Sequence, residues 1–265
     1  ERLVGTALAP YRDKVVLATK FGVHFDMSLL KQGKSPIVPD ARPETIRMSV
    51  DGSLQRLGTD YIDLYYQHRV DPKIPVEEVA GVMGDLKKEG KIRHWGISEA
   101  TEEDIRRAHA VCPLTAVQNR YSMMARAYEN LFPVLEELNI GFVAFSPFAN
   151  SILTGAYRKD SMFGEGDMRA NMPQFTAKAM DENRKLLSLL QNLAEEKSAT
   201  SGQIALAWML CKKPYIAPIP GTRKHARLVE NAGAADIFLS NEEIAEIDAK
   251  LSTIPMSAVF GGSGS

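Results

Sequence analysis

Val15-Val16-Leu17-Ala18-Thr19-Lys20-Phe21-Gly22 is an apolar, β-branched run that ends on a cation and a turn. A run of this length and composition, bounded by turn residues, reads as a buried strand. A lysine at the far end of such a strand is costly unless something there uses or pairs its charge. The turn also decides between two folds. An open, doubly wound sheet that binds a dinucleotide needs G-x-G-x-x-G after its first strand. Thr19-Lys20-Phe21-Gly22 is not that motif, and the motif occurs nowhere else in the chain. A second strand-like run, Tyr61-Ile62-Asp63-Leu64-Tyr65-Tyr66-Gln67-His68, also ends on a basic residue. Parallel α/β enzymes place their chemistry at the carboxyl ends of the strands, so Lys20 and His68 are candidates to face one site.

Outward from these runs, strand and helix patterns alternate. Strands are expected near 15–20, 61–67, 93–98, 115–119, 141–146 and 215–219. Helices are expected near 43–57, 75–90, 101–111, 127–139, 181–198, 201–212, 223–233 and 241–251. Arg42-Pro43-Glu44 and Ser240-Asn241-Glu242-Glu243 supply helix starts, and Lys87-Lys88-Glu89-Gly90 supplies a stop. Repeated βα units predict a parallel sheet with right-handed crossovers. The expected fold class is α/β, a (β/α)8 barrel with about six of its units in this chain. Residues 1–260 form the barrel domain and 261–265 a linker-like tail. Glu1 to Leu8 reads as the middle of an amphipathic helix, which predicts a further segment upstream. Two long connections, 23–42 and 149–180, follow strands where barrel enzymes carry substrate loops.

Composition narrows the class. The 265 residues carry 32 basic and 33 acidic side chains, for a formal net charge of -1, and 45% are hydrophobic. This is an ordinary globular balance with no electrostatic footprint for nucleic acid. No stretch is apolar for long enough to span a membrane, and no signal peptide opens the chain. Two cysteines, Cys112 and Cys211, are too few for a disulfide framework and fit a reduced, cytoplasmic protein. His24, His94, His109 and His225 have no metal-ligand spacing.

Several motifs occur together and in order: Ala18-Thr19-Lys20-Phe21-Gly22, Leu57-Gly58-Thr59-Asp60 running into Tyr61–His68, and Glu89-Gly90-Lys91-Ile92-Arg93-His94-Trp95-Gly96-Ile97-Ser98. Gln118-Asn119-Arg120-Tyr121-Ser122, Phe145-Ser146-Pro147-Phe148, Leu153-Thr154-Gly155, Ile219-Pro220-Gly221-Thr222-Arg223 and Glu230-Asn231 follow. In these the chain resembles the aldo-keto reductases, in the bacterial branch similar to potassium-channel β subunits.

The resemblance implies a barrel that binds NADP(H) in extended form and transfers hydride to an aldehyde or ketone. Lys20 and His68 match half of a four-residue centre. Its tyrosine acid and aspartate are expected upstream of this chain, and Tyr11, Tyr65 and Tyr66 do not match the acid. Ser98 and Gln118 resemble the pair that binds the nicotinamide carboxamide, and Phe145 the aromatic that stacks on the ring. Ser146, Pro147 and Phe148 resemble the pyrophosphate-side backbone. Gly221, Thr222, Arg223, Arg227, Glu230 and Asn231 resemble an adenosine-phosphate clamp, which favours NADP(H) because an arginine fork suits a 2′-phosphate. Relatives often have lysine where this chain has Ala156, with Arg158 nearby.

Met123 and Met124 line an apolar substrate pocket or fill core gaps. The expected partner is a small carbonyl substrate. A barrel short of roughly two βα units would leave sheet edges open, which predicts a homo-oligomer or a complementing N-terminal segment. With the acid and the aspartate expected upstream, this chain alone is expected to be inactive; a catalytically inactive NADP(H)-binding accessory or fragment is the alternative, and a Schiff-base aldolase using Lys20 a third reading.

Overall fold

The structure is a computed structural model that describes residues 1–32 and 35–262. The last three residues of the linker-like tail fall outside it. In chain order the strands are β1 (Ala18–Phe21), β2 (Val23–Phe25), β3 (Ile37–Pro39), β4 (Ile62–Gln67), β5 (Ile92–Ser98), β6 (Ala116–Arg120), β7 (Gly141–Phe145) and β8 (Ile216–Pro218). The α-helices are α1 (Arg2–Leu8), α2 (Met27–Leu30), α3 (Pro43–Leu57), α4 (Val76–Lys88), α5 (Glu102–Val111) and α6 (Phe132–Leu138), then α7 (Ala177–Glu182), α8 (Arg184–Glu196), α9 (Ser201–Lys212), α10 (His225–Ala232) and α11 (Asn241–Thr253). The chain divides into two compact units, one of residues 1–118 with 134–140, the other of residues 119–133 with 141–265.

In the first unit β1, β4, β5 and the start of β6 lie in that order, all parallel. Helices α3, α4 and α5 connect them, as βα repetition requires. Pro43 opens α3, and Gly58 ends it with a left-handed φ of 64°. Gly5 lets α1 lie against that end of α3, because a Cβ there would stand 2.2 Å from the Leu57 carbonyl oxygen. β4 is an inner strand, and Ile62, Tyr65, Tyr66 and Gln67 are almost fully buried. At its amino end Asp63 accepts the Leu17 N–H at 2.9 Å and pairs with Arg12 at 2.7 Å and Arg93 at 3.1 Å. The two guanidinium groups lie over the Tyr61 ring, with centroid distances of 3.9 and 3.8 Å.

In the second unit the end of β6 meets β7 where the Tyr121 N–H donates to the Phe145 carbonyl at 3.2 Å, and β7 pairs with β8 in parallel. Helix α9 is apolar nearly all round and buried accordingly. Tyr121 stacks on Trp208 at 5.3 Å, with Phe142 edge-on to it. Lys212 bridges Glu129 at 2.6 Å and Asp248 at 2.9 Å, so this half-buried cation is fully paired.

Four expectations need correction. The first strand begins at Ala18, not Val15, because the Leu17 N–H is taken by the Asp63 carboxylate and Val16 is solvent-exposed. The helix expected over 181–198 breaks at Asn183, whose side chain accepts the Ser257 N–H and donates to the Ser257 hydroxyl. The helix expected from 223 starts at His225, since the Thr222 hydroxyl accepts the Lys224 N–H and holds the approach as a loop. The 23–42 connection holds an antiparallel hairpin of β2 and β3. Met123 and Met124 are buried core residues.

Candidate active site

Register places four of the expected site residues on one face of the first unit's sheet. Lys20 pairs with Tyr66, Tyr66 with Gly96, and Ser98 with Gln118. Side chains alternate along a strand, so Lys20, Tyr66, Gly96, Ser98 and Gln118 share a face. His68, two residues beyond Tyr66, continues it, and the ladder is maintained there because the His68 N–H donates to the Phe21 carbonyl at 2.9 Å. Lys20, His68 and Ser98 lie at the carboxyl ends of their strands, and Gln118 at the middle of β6.

Lys20 is half-buried and, among the described residues, forms no ion pair. Burial and the neighbouring Arg69 charge hold its pKa below the ordinary lysine value. His68 is pushed down to about 4 by burial, then by Arg69 and Lys20. Its imidazole is therefore uncharged at neutral pH and can donate a hydrogen bond to an oxygen without carrying a transferable proton. Burial drives the Tyr65 and Tyr66 phenols well above their ordinary range, so neither is a ready acid. Ser98 is 1% exposed and its hydroxyl donates to the Gln118 carbonyl at 2.7 Å. Ser98 can still accept, and the Gln118 side chain offers both roles.

His68 also sets a stability trend. An unfolded imidazole takes up a proton near 6.5, whereas the folded one refuses it until about 4. Over that window the unfolded state holds more protons, so stability falls as the pH drops. Urea midpoints measured across it are expected to decline, and His68→Gln to flatten the decline. An equal slope in that variant would rule out His68 as its source.

Phe145 ends β7, with the Arg120 guanidinium 5.0 Å from its ring centroid. The chain then enters the left-handed region at four non-glycine residues, Ser146, Ala149, Asn150 and Ser151. Such residues cost on the order of 1 kcal/mol each and gather at functional sites. Just beyond, a cleft of about 590 Å³ opens against the start of α10. Phe148, Gly221, Thr222, Arg223, Arg227, Glu230 and Asn231 line it, while Ser146 and Pro147 do not. Arg227 pairs with Glu230 at 2.5 Å, and the other Glu230 oxygen accepts the Thr200 hydroxyl at 3.0 Å. Arg223 and Lys224 are exposed and, among the described residues, have no ion pair. Two free cations, a helix amino end and an occupied carboxylate suit a phosphate group.

The expected residues thus gather in two places, Lys20, His68, Ser98 and Gln118 in the first unit and the phosphate-type cleft in the second. Three residues went unexpected. Lys224 lines the cleft next to Arg223. Arg169 reaches it from the long 149–180 connection, pairing with Asp167 and the Tyr157 hydroxyl, whereas Arg158 does not line it. Arg69 stands directly after His68, and that adjacency was the one available signal.

Residues 1–252 match the model of the aldo/keto reductase family. A probable aldo-keto reductase 1 of Glycine max is 38% identical over 264 residues, which is 99% of this chain and 73% of that protein. Glycerol dehydrogenase AKR11B4 from Gluconobacter oxydans has a similar fold, with a TM-score of 0.85 at 29% identity, covering 96% of this chain and 77% of that one. The aldo/keto reductase of Klebsiella pneumoniae, solved with NADP and acetate, matches with a TM-score of 0.67 at 28% identity over 94% of this chain and 75% of that one.

Proposed function

Since this chain belongs to the aldo/keto reductase family, we propose that it is an NADP(H)-dependent oxidoreductase that reduces aldehydes or ketones to alcohols on a (β/α)8-type barrel. The observation that carries the reading is the shared face of Lys20, His68, Ser98 and Gln118. The cleft beside α10 fits the cofactor, because Arg223 and Lys224 are free to meet a 2′-phosphate. Phe145 offers a ring for stacking, and Ser98 and Gln118 offer an acceptor and a donor for a carboxamide. Bound NADPH supplies the hydride that reaches the carbonyl carbon.

The chain's own residues handle the oxygen. His68, uncharged, donates a hydrogen bond to the carbonyl oxygen and stabilises the negative charge that grows there. Lys20 adds a fixed cation that stabilises the same charge and would lower the pKa of an acid placed beside it.

A second reading rests on one observation. Among the described residues no carboxylate pairs with Lys20, and no tyrosine hydroxyl bonds to Lys20 or His68. On that reading the chain binds NADP(H) without turnover. Titrating the 265-residue chain with NADPH by fluorescence, then adding a small aldehyde, separates the two. Binding with reduction that is lost in Lys20→Met supports the reductase, and binding alone supports the accessory role. No saturable binding overturns both.

A further inference from the structure

Arg69 binds three parts of the first unit's site at once. Its Nη1 donates to the His68 carbonyl at 2.6 Å and to the Ser98 hydroxyl at 3.4 Å, and its Nη2 pairs with Glu99 at 3.1 Å. Each partner is itself fixed. The His68 N–H is held by the Phe21 carbonyl, so both polar backbone atoms of His68 are engaged. The Ser98 hydroxyl and the Glu99 N–H both donate to the Gln118 carbonyl, at 2.7 and 3.3 Å. Glu99 holds a left-handed φ of 52°, a conformation a non-glycine residue keeps only when its surroundings enforce it. An arginine's planar fork serves three acceptors with less freedom lost per bond than a flexible lysine ammonium.

We propose that Arg69 is a positioning residue of this site: its guanidinium clasps the carboxyl ends of β4 and β5 and fixes His68 relative to the Ser98–Gln118 pair. The proposal rests on the reductase reading only for the use made of His68. The charges facing His68 are Lys20 from β1 and Arg69 beside it, and Glu99 at the end of β5 is the carboxylate that pairs with Arg69. Two cations against one carboxylate disfavour a third positive charge. The clasp also makes Ser98 an acceptor by design, since its own proton is committed to Gln118.

Proton NMR titration of the ligand-free chain, with the His68 signal assigned by its loss in His68→Gln, tests this without relying on activity. In Arg69→Met half-protonation of His68 is expected to move from near pH 4 to above about pH 5. Arg69→Lys, which keeps the charge and loses the fork, should fall between. Where Arg69→Met does not fold, Glu99→Gln decides, because removing the counter-carboxylate should move half-protonation lower still. A His68 titration unmoved in the variants that fold overturns the proposal. NADPH titration of the unaltered chain runs in parallel; its failure would remove the reductase reading while leaving the Arg69 result intact.

Discussion

Replacing Arg223 and Arg227 together by leucine is expected to weaken NADPH binding about 100-fold or more, while NADH binding changes by less than about threefold. The asymmetry follows from where the cations lie. Both line the cleft before and within the first turn of α10, and Arg223 has no ion pair among the described residues. A charge-assisted hydrogen bond is worth about 1.5–3 kcal/mol, so losing two reaches the hundredfold range. Arg227 contributes in a second way, since it neutralises one oxygen of Glu230 at 2.5 Å. Without it a carboxylate faces the phosphate directly, so Arg227→Leu should cost more than Arg223→Leu, and Glu230→Gln should restore part of the loss. Because these side chains are exposed, the whole effect should shrink as salt is raised. Isothermal titration with both nucleotides checks it. Equal losses for NADPH and NADH would mean that the cleft holds a group common to both, and no loss would empty it of nucleotide altogether.

How much of this could be read from the chain depends on the reach of each interaction. The strands of the main sheet were legible as short runs ended by turns, which put Lys20 and His68 at strand ends; their shared face appears only with the register of β1 against β4. Boundaries failed where a distant partner decides them. Asn183 breaks a helix through Ser257, 74 residues away, and the first strand is shortened by Asp63, 46 residues from Leu17. The left-handed stretch after Phe145 gave no warning, because it is built from serine, alanine and asparagine in place of the glycine that usually marks such backbone. Arg69 stayed hidden for the same reason as Asn183: its role exists only once Ser98 and Glu99 are folded against it. Arg169 lies in a connection without periodicity, and nothing in its neighbours' spacing aims it at the cleft.

Gly96→Ala is expected to destabilise the protein by about 4 kcal/mol or more, beyond the roughly 1–3 kcal/mol that overpacking usually costs. A Cβ at this position would stand 2.3 Å from the Ala116 carbonyl oxygen and 2.5 and 2.7 Å from two atoms of the Tyr66 ring. Neither neighbour can retreat. Ala116 is Gly96's register partner on β6, and Tyr66, its partner on β4, is 1% exposed. For a chain of this size the loss should lower the melting temperature by roughly 10 °C, or prevent soluble expression. Gly81→Ala serves as the control. Gly81 lies inside α4, and a Cβ there would meet nothing within 4 Å. The same substitution at Gly81 should therefore stabilise by about 0.5–1 kcal/mol through helix propensity alone. Combining Gly96→Ala with Tyr66→Ala should cost less than the sum of the two, because the new methyl enters the space the ring vacates. Rescue should stay partial, since the Ala116 carbonyl remains in the way. The same crowding reaches the site. Ser98 lies two residues beyond Gly96 and binds Gln118 two residues beyond Ala116, so forcing β5 and β6 apart at Gly96 would separate the pair proposed above to receive the carboxamide. Any Gly96→Ala protein that folds should therefore bind NADPH more weakly than the wild-type chain while keeping its preference for NADPH over NADH, because the α10 cleft lies in the other unit. A variant with unchanged melting temperature and unchanged affinity would show that the strand ends tolerate a side chain the geometry forbids.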